Sequence, residues 1–487
     1  MIKESVELVD EYEVVKGLIG AFIVRDKATG LYLYNVVEPM LSDNASRVLA
    51  RTRELLRVSS ALPEGSNSVE GYLKSLVDET MGRLRIKLSD EELRGVMYYL
   101  MRDTVGYGRI DPLIRDDYIE DVNINGPNKP VYVWHSKYEH LRANITLSNE
   151  ELNSLVVKIS QRIGKNVSSA YPILEGLLPE GLRVELGLRD VSPYGPIITI
   201  RKFKTNPITI VDLIMDGVIS AEAMATLWFM LENGISMVII GPTGAGKTTL
   251  LNALLFLIRP EARIVTIEDT REINIPHEQW VPLVVRESET TGVQSIVAYD
   301  LVKVSMRIRP DYLVVGELRG EEAYVFFQGL ASGHTGLATI HASSLSAAVR
   351  RLLSKPMSVP PALIPLANVF ILINRVKVGG RIVRRVMDIS ELLDVTRSGL
   401  RFNTLFRWSK DRDELVRLSD STLIADLVRM GRVSQEEVDR ELKRRVEIMV
   451  TMAKYGFRSP DAVFRVTRNY YVDPERTYRT LISGELP

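Results

Sequence analysis

The chain has 487 residues, and its 62 basic and 62 acidic side chains cancel to a formal net charge of zero. This length predicts about three domains, and the balanced charge gives no sign of a general polyanion-binding surface. The absence of cysteine excludes disulfide bridges and cysteine-ligated zinc sites. The acidic N-terminal segment is not typical of a signal peptide, and the longest apolar region, 359–373, contains prolines and is too short to span a bilayer. We therefore expect any membrane association to depend on a partner.

Residues 1–103 are predicted to form a mostly helical region with a small β element. The segment 20–39 alternates apolar and polar residues around a turn that ends at Gly30, which is typical of a β-hairpin. Helical patterns follow, separated by a polar linker at 62–71. The last helix begins with a serine and a glutamate at capping-box spacing, Ser89 and Glu92.

Residues 104–205 are predicted to form a small α+β domain. Its helix has a capping box at Ser148 and Glu151, one apolar face, and Gly164 as its C-cap. The strands around that helix are expected at 120–125, 131–135, 182–188 and 196–203. The segment 204–209 that follows is a candidate hinge stiffened by proline.

From 206 to 395 short apolar strands alternate with helices, a pattern typical of a doubly wound, mainly parallel sheet. A hairpin with its turn at Gly379 and Gly380 ends this region. The tail, 396–487, is predicted to be helical, with one long helix that begins at Ser434 and stops near Gly456. The parallel strands are expected at 236–241, 263–268, 281–285, 312–317 and 337–342.

The segment GPTGAGKT, 241–248, matches the G-x-x-x-x-G-K-[ST] phosphate loop and lies between a predicted strand and a predicted helix. Glycines allow backbone amides to surround phosphate oxygens, and the helix directs its positive end toward them. Lys247 would reach the β and γ phosphates of ATP, and Thr248 would ligate Mg²⁺. The candidate nucleotide contacts are Gly241, Pro242, Thr243, Gly244, Ala245, Gly246, Lys247, Thr248 and Thr249.

Two acids end neighbouring strands of the same sheet. Glu268 ends the strand in TIEDT, where it is a candidate base that orients and deprotonates the attacking water, or simply a helix cap. Glu317 ends the strand in VGELR and follows Gly316, where many P-loop ATPases carry an aspartate. Glu317 therefore serves the metal, through water, or shares the activation of water with Glu268.

Two of the five histidines bracket one apolar segment, GHTGLATIHA, 333–342. His341 falls at the carboxyl end of a predicted strand, where an imidazole can hydrogen-bond the γ-phosphate or its water. His334 precedes that strand and is expected to organise the turn or an intersubunit contact. The alternative for both is an ordinary surface histidine.

Together these motifs resemble the secretion-superfamily ATPases of type II secretion, type IV pili, archaella and type IV secretion. The phosphate loop, IEDT, VGELR and GHTGLATIHA occur in the family's order, and the resemblance covers about 110–390, closest to the archaeal pilus and archaellum branch. It implies an α/β fold: a RecA-like P-loop ATPase core, a small PAS-like α+β N-terminal domain, and helical regions at both ends. The absence of cysteine excludes the tetracysteine zinc subdomain found in bacterial pilus-extension and type II secretion members.

The resemblance also gives a role to two arginines in the predicted α+β domain. Arg183 in LPEGLRV and Arg201 in TIRKF match family segments whose arginines move onto the phosphates when the ring closes. A guanidinium placed there neutralises charge on the transferring phosphoryl oxygens. The alternative is that both are surface arginines beside a strand.

The function implied is Mg²⁺-dependent ATP hydrolysis by a homo-hexameric ring at the cytoplasmic face of the cell membrane. The ring would drive filament assembly or transport through a polytopic membrane platform protein, and would meet prepilin-like filament subunits only indirectly. No nucleic acid is expected as a partner. One alternative is a RecA-like helicase or translocase, which predicts a basic stripe; another is a ring that binds ATP without hydrolysis, which the presence of both acids disfavours.

Overall fold

A computed structural model gives the structure of the protein and describes residues 6–58, 68–202, 207–286, 294–396 and 399–486. The chain divides into two compact units, Met1–Lys204 and Thr205–Pro487. The predicted hinge and the predicted polar linker at 62–71 lie partly outside the described residues. No helix in the described ranges combines the length and the apolar character needed to cross a bilayer.

In the first unit the described strands form one mixed sheet. The strands are β1 (Val6–Val15), β2 (Ile19–Asp26), β3 (Tyr32–Val37), β4 (Ile119–Ile124), β5 (Pro130–His135), β6 (Glu139–Thr146), β7 (Ile173–Leu177), β8 (Arg183–Gly187) and β9 (Ile197–Arg201). The helices are α1 (Asp43–Val58), α2 (Val69–Leu84), α3 (Asp90–Thr104), α4 (Asp111–Arg115) and α5 (Asn149–Ile163). The order across the sheet is β1-β2-β3-β6-β5-β4-β9-β8-β7.

Several local predictions for this unit are confirmed. The segment 20–39 forms the hairpin of β2 and β3. Ser89 caps α3 and Ser148 caps α5, each with the reciprocal glutamate contact of a capping box. Helix α5 ends at Gly164, which adopts the left-handed conformation with φ 74°. These elements form as predicted because their signals are local.

The predicted division between a helical region at 1–103 and an α+β domain at 104–205 is wrong, because one sheet runs through both. β3 pairs in parallel with β6, and buried Tyr34 shares a core with Val133 and Leu152. An isolated hairpin would leave β3 as an open edge, and pairing with β6 removes that edge. The helices α1 to α3 add a smaller core of their own.

In the second unit the described strands also form one sheet. The strands are β10 (Met237–Gly241), β11 (Ile264–Glu268), β12 (Trp280–Val284), β13 (Tyr312–Val315), β14 (Thr335–His341), β15 (Val369–Val378), β16 (Arg381–Thr396), β17 (Gly399–Ser409) and β18 (Glu414–Arg417). The helices are α6 (Ile210–Met215), α7 (Ala221–Glu232), α8 (Lys247–Leu255), α9 (Ala298–Ser305), α10 (Glu322–Ala331), α11 (Leu345–Leu353), α12 (Thr422–Arg429), α13 (Gln435–Tyr455), α14 (Pro460–Val472) and α15 (Pro474–Ile482).

The order across this sheet is β12-β11-β13-β14-β10-β15-β16-β17-β18. The strands from β12 to β15 are parallel, and β16 to β18 continue the sheet as an antiparallel meander. This is the RecA-like core that the motifs predicted. Separate apolar clusters cover the two faces of the sheet, so the carboxyl ends of the parallel strands are the natural place for a ligand.

The prediction that 396–487 is helical is wrong at its beginning. Residues 399–417 form β17 and β18, and the helices start only at Thr422. Leu405 and Phe406 are buried against the core while charged residues surround them, so the strand signal in the sequence is weak. The helices that follow are not a separate tail, since Tyr470 packs on Trp228 with 5.0 Å between ring centroids.

Other predictions for this unit are confirmed. The β15–β16 hairpin turns at Gly379 and Gly380, with φ of 55° and 84°. Ser434 caps α13, and the helix ends at Gly456 with φ 69°. Each of these signals depends on a turn or cap residue whose backbone preference is strong.

Candidate nucleotide-binding site

The phosphate loop connects the fully buried β10 to α8. A Cβ on Gly241 would lie 2.4 Å from the carbonyl oxygen of Ile373, so the strand end admits only glycine. Gly244 and Gly246 have φ of 72° and 97°, which favour glycine. Within the loop Ala245 is buried, whereas Thr243 and Gly244 are exposed, and the loop leads directly into the amino end of α8, where anions bind. The cradle therefore fits a phosphate group.

Lys247 is the first residue of α8 and is only 7% exposed. Its Nζ donates to the Pro242 carbonyl at 3.2 Å and lies 3.2 Å from His341 Nδ1. Burial lowers the pKa of Lys247, while the charge of Glu317 opposes that shift. A bound phosphate would supply negative charge that stabilises the protonated form of this buried lysine. Thr248 and Thr249 follow it in the first helical turn and are half-buried.

His341 lies beside the loop because β14 pairs with β10 and places it opposite Gly241. Its Nδ1 is 3.5 Å from Thr243 Oγ1, and its carbonyl accepts a hydrogen bond from Arg351 at 2.8 Å. Burial and the charge of Lys247 lower the pKa of His341, although Glu317 opposes them. A neutral imidazole therefore stands between the lysine and the acid.

Glu317 lies on the far side of that imidazole. Its Oε1 is 3.1 Å from His341 Nε2, but the two atoms are not aligned as a hydrogen bond, so the buried Oε1 has no donor. Its Oε2 is 2.5 Å from Arg319 Nη2, and Arg319 also contacts Asp269 at 3.2 Å. Sequence reasoning missed Arg319 as a site residue, although it ends the quoted VGELR segment.

Glu268 is 4% exposed at the end of β11. Its Oε1 accepts the amides of Glu272 and Ile273, both at 2.9 Å, as a cap would. Its Oε2 is buried without a donor. Burial raises the pKa of Glu268 to about 7, outweighing those two hydrogen bonds. One oxygen is thus anchored, and the other is available to a ligand or to water.

Gly316 explains why the usual aspartate is absent. A Cβ at this position would lie 3.2 Å from Glu268 Cγ and 3.4 Å from the carbonyl oxygen of Ile267. Any side chain would therefore press on Glu268. The glycine makes room for the buried acid on the neighbouring strand.

His334 is not brought to the phosphate loop by any contact among the described residues. Its Nδ1 lies 3.2 Å from the Gly329 carbonyl and 3.1 Å from Ser332 Oγ, within the turn between α10 and β14. This placement matches the expectation that His334 organises the turn.

Arg183 and Arg201 belong to the first unit, where β8 and β9 place them directly opposite each other. Arg201 Nε donates to Asp121 Oδ1 at 2.9 Å. Arg183 is ion-paired with Glu175 and lies 3.8 Å from Glu185. The structure brings the two arginines together, and acids of the same sheet hold both.

Among the described residues, no group of three or more histidine, aspartate or glutamate side chains could hold a metal ion. Mg²⁺ in nucleotide sites uses one or two protein groups together with phosphates and waters. Thr248 in the first turn of α8 and the donor-less oxygen of Glu317 fit that smaller requirement.

Comparisons with known proteins identify the family of the chain. An uncharacterized protein of Methanocaldococcus jannaschii is 39% identical over 336 residues, covering 68% of this chain; the chain spans 61% of that relative's length. A Mycobacterium tuberculosis protein named for conjugal transfer is 31% identical over 269 residues, covering 53% of this chain and 75% of the relative. The solved VirB11 ATPase of the Brucella suis type IV secretion system is 24% identical, with a TM-score of 0.30, and the match covers 57% of this chain and 90% of that one. Residues 111–389 match the type II/IV secretion system protein family, and the chain belongs to that family.

Proposed function

We propose that the chain hydrolyses ATP with Mg²⁺ and uses the energy as a ring motor. The proposal rests on one observation: the phosphate loop holds Lys247 in contact with His341, and two acids beside it keep buried oxygens without donors. Buried oxygens without a hydrogen-bond donor are uncommon in protein interiors. They are expected where water and a charged substrate bind.

Glu268 is the general base. Its Oε1 is fixed by two backbone amides, so its Oε2 can accept the proton of the attacking water. A pKa of about 7 suits that task near neutral pH. Glu317 is the second candidate, because its Oε1 also lacks a donor.

Lys247 and the loop amides bind the phosphates, and Thr248 and Glu317 would hold the Mg²⁺. The ion, when bound, stabilises negative charge on the phosphoryl oxygens as a Lewis acid. His341 contacts both Lys247 and Glu317, so it can report the state of the phosphates from one group to the other.

Arg183 and Arg201 complete the site when the two units close on ATP. Arg319, the arginine that contacts Glu317, is committed to two carboxylates, so further positive charge for the γ-phosphate must come from elsewhere. Closure would exchange the contacts of Arg201 with Asp121 and of Arg183 with Glu175 for phosphate oxygens. ATP then stabilises the closed state through its differential affinity, and hydrolysis releases it.

Arg201→Ala tests closure. We expect ATP to bind, turnover to fall by about 10³-fold, and the units to stay open. Because the chain has no cysteine, Val157→Cys and Lys303→Cys give two unique label sites, and both side chains are exposed. If ATP changed the label distance in the variant as fully as in the parent, Arg201 would not be the latch.

The motor is proposed to be a homo-hexamer at the cytoplasmic face of the membrane that acts on a polytopic platform protein, and through it on filament or secreted subunits. Family membership and a relative named for conjugal transfer support this role. Particle mass measured with and without ATP tests the ring. A monomer at concentrations where turnover is full would contradict it.

Lys247→Ala tests the enzyme itself. We expect phosphate release from ATP to require Mg²⁺ and to be lost in Lys247→Ala, while the exposed Lys303→Ala behaves as the parent. Unchanged turnover in Lys247→Ala would contradict the assignment. Addition of single- or double-stranded DNA tests the translocase alternative, and a large stimulation would favour that alternative.

A further inference from the structure

The hairpin of β15 and β16 places two arginines over the phosphate loop. Arg375 and Arg384 are direct partners across the hairpin. Arg384 Nε donates to the Gly244 carbonyl at 3.4 Å. The guanidinium carbon of Arg375 would be 3.8 Å from a Cβ on Gly244, and Cδ of Arg384 would be 3.2 Å from one on Gly246. Both side chains thus border the loop within the same unit.

The two side chains carry like charges at directly opposing positions of the hairpin. Like charges directly opposite each other in an antiparallel pair repel, and Arg384 is half-buried without an ion pair to any acid that the structure describes. Two guanidinium groups beside a phosphate loop suit an anion, since their planar donors match phosphate oxygens.

The sheet order indicates which phosphate group of the nucleotide the two arginines contact. The acids and His341 lie on β11, β13 and β14 or directly after them, all on one side of β10, whereas Arg375 and Arg384 lie on the other side, which begins with β15. A phosphate chain along the loop with its γ-phosphate toward the acids has its α-phosphate toward the hairpin. We infer that Arg375 and Arg384 bind the α-phosphate of the nucleotide; this inference rests on the proposed nucleotide site.

Calorimetric titration of Arg375→Ala and Arg384→Ala tests the inference with ATP, ADP and inorganic tripolyphosphate. Because all three carry a phosphate at this position, each variant is expected to weaken all three about tenfold, as loss of a charge-assisted contact does. Arg384→Lys keeps the charge and should recover part of the loss. Arg381→Ala, an exposed arginine at the turn of the same hairpin, is the matched control and should bind as the parent.

Three outcomes would overturn the inference: parental affinities in both variants, a loss confined to ATP, or a loss that spares tripolyphosphate. The second would move the contact to the γ-phosphate and the third to the base. If the parent bound none of the three ligands, the nucleotide site itself would fail. Suppose instead that the parent binds the three ligands, that Lys247→Ala does not bind them, and that both arginine variants bind them as tightly as the parent. Only the inference about the α-phosphate would then fail.

Discussion

The two units each bury a cluster of polar side chains, and they treat its hydrogen bonds differently. In the first unit, a tyrosine cluster consists of Tyr12, Tyr34, Asp116 and His135. Both hydroxyls donate to Asp116 Oδ2, at 2.7 and 2.5 Å, and its Oδ1 accepts the backbone amide two residues further on. His135 Nδ1 likewise accepts an amide, and its Nε2 is 3.1 Å from Tyr12 Oη. No polar side-chain atom of this cluster lacks a partner.

In the second unit, an edge cluster consists of Lys247, Glu268, Glu317, Arg319 and His341. Like the tyrosine cluster it combines a histidine with carboxylate groups, and Lys247 and Glu268 are buried, yet one oxygen of each acid has no donor. Buried polar atoms are normally paired, so a complete cluster stabilises the fold and an incomplete one awaits a ligand. Unpaired atoms alone are not sufficient, however.

Arg445 shows why. Its Nε and Nη1 also lack acceptors, but its guanidinium lies 4.6 Å from the ring centroid of Trp228 and 5.4 Å from that of Tyr470. The aromatic faces compensate for the missing acceptors. The edge cluster has no such compensation and lies beside a phosphate loop.

The largest effect should come from removing the free charge of the edge cluster. Glu268→Gln can still accept the amides of Glu272 and Ile273, so we expect ATP binding to persist while turnover falls by about 10²- to 10⁴-fold. Glu272→Gln, an exposed neighbour, is the control. Single-turnover cleavage at the parental rate would assign the base to Glu317 instead.

A smaller effect should follow from crowding the same acid without changing it. Gly316→Ala places a methyl group 3.2 Å from Glu268 Cγ, and a displaced base loses alignment. We expect turnover to fall by about 10- to 100-fold, with nucleotide affinity nearly unchanged. Equal losses in binding and turnover would mean that the loop, and not the acid, had moved.

The tyrosine cluster should respond in stability and not in turnover. His135→Phe leaves Tyr12 without its imidazole partner and one backbone amide without an acceptor, at a cost of about 1–3 kcal/mol in the free energy of unfolding. Burial lowers the pKa of His135 to about 4 in the fold, below its unfolded value of about 6.5. Its stabilising contribution is therefore complete above pH 6.5 and is lost as pH falls toward 4.

Denaturant unfolding at several pH values measures this contribution. The parent should gain stability between pH 4 and 6.5, and His135→Phe should show a shallower gain. A variant with parental stability but reduced ATP turnover would reverse the distinction between the two clusters.

The sequence was sufficient for several features that depend on local spacing. The phosphate loop, the strand that ends in Glu268, the strand that precedes Glu317, and the caps at Ser89 and Ser148 are signals of a few residues each. It was insufficient where a partner is distant in the chain. The pairing of β3 with β6 joins residues more than a hundred positions apart, and no local pattern specifies it.

The residues of the candidate site also fall into two groups: those that a local motif identifies and those that only the folded structure identifies. Position in a motif identified Glu268, but its anchored and free oxygens depend on how a following loop folds back. Arg319 lies within a recognised motif, but only its contacts with Glu317 and Asp269 identify it as a residue of the site. Arg375 and Arg384 belong to no sequence motif. They lie over the phosphate loop because β15 pairs with β10, a strand far from it in the chain, and β16 pairs with β15.

The smallest expected effect is the pH dependence of turnover. Burial raises the pKa of Glu268 to about 7, and only the ionised carboxylate can accept a proton. Turnover should therefore rise with pH through about 7 and level off above 8, with roughly a tenfold deficit at pH 6. His135 destabilises the first unit only below pH 6.5, so the range from 6.5 to 9 separates the two groups. In Glu268→Gln the residual turnover should lose this step; a step that persists there would belong to another group, and Glu317 and His341 would be the next to test.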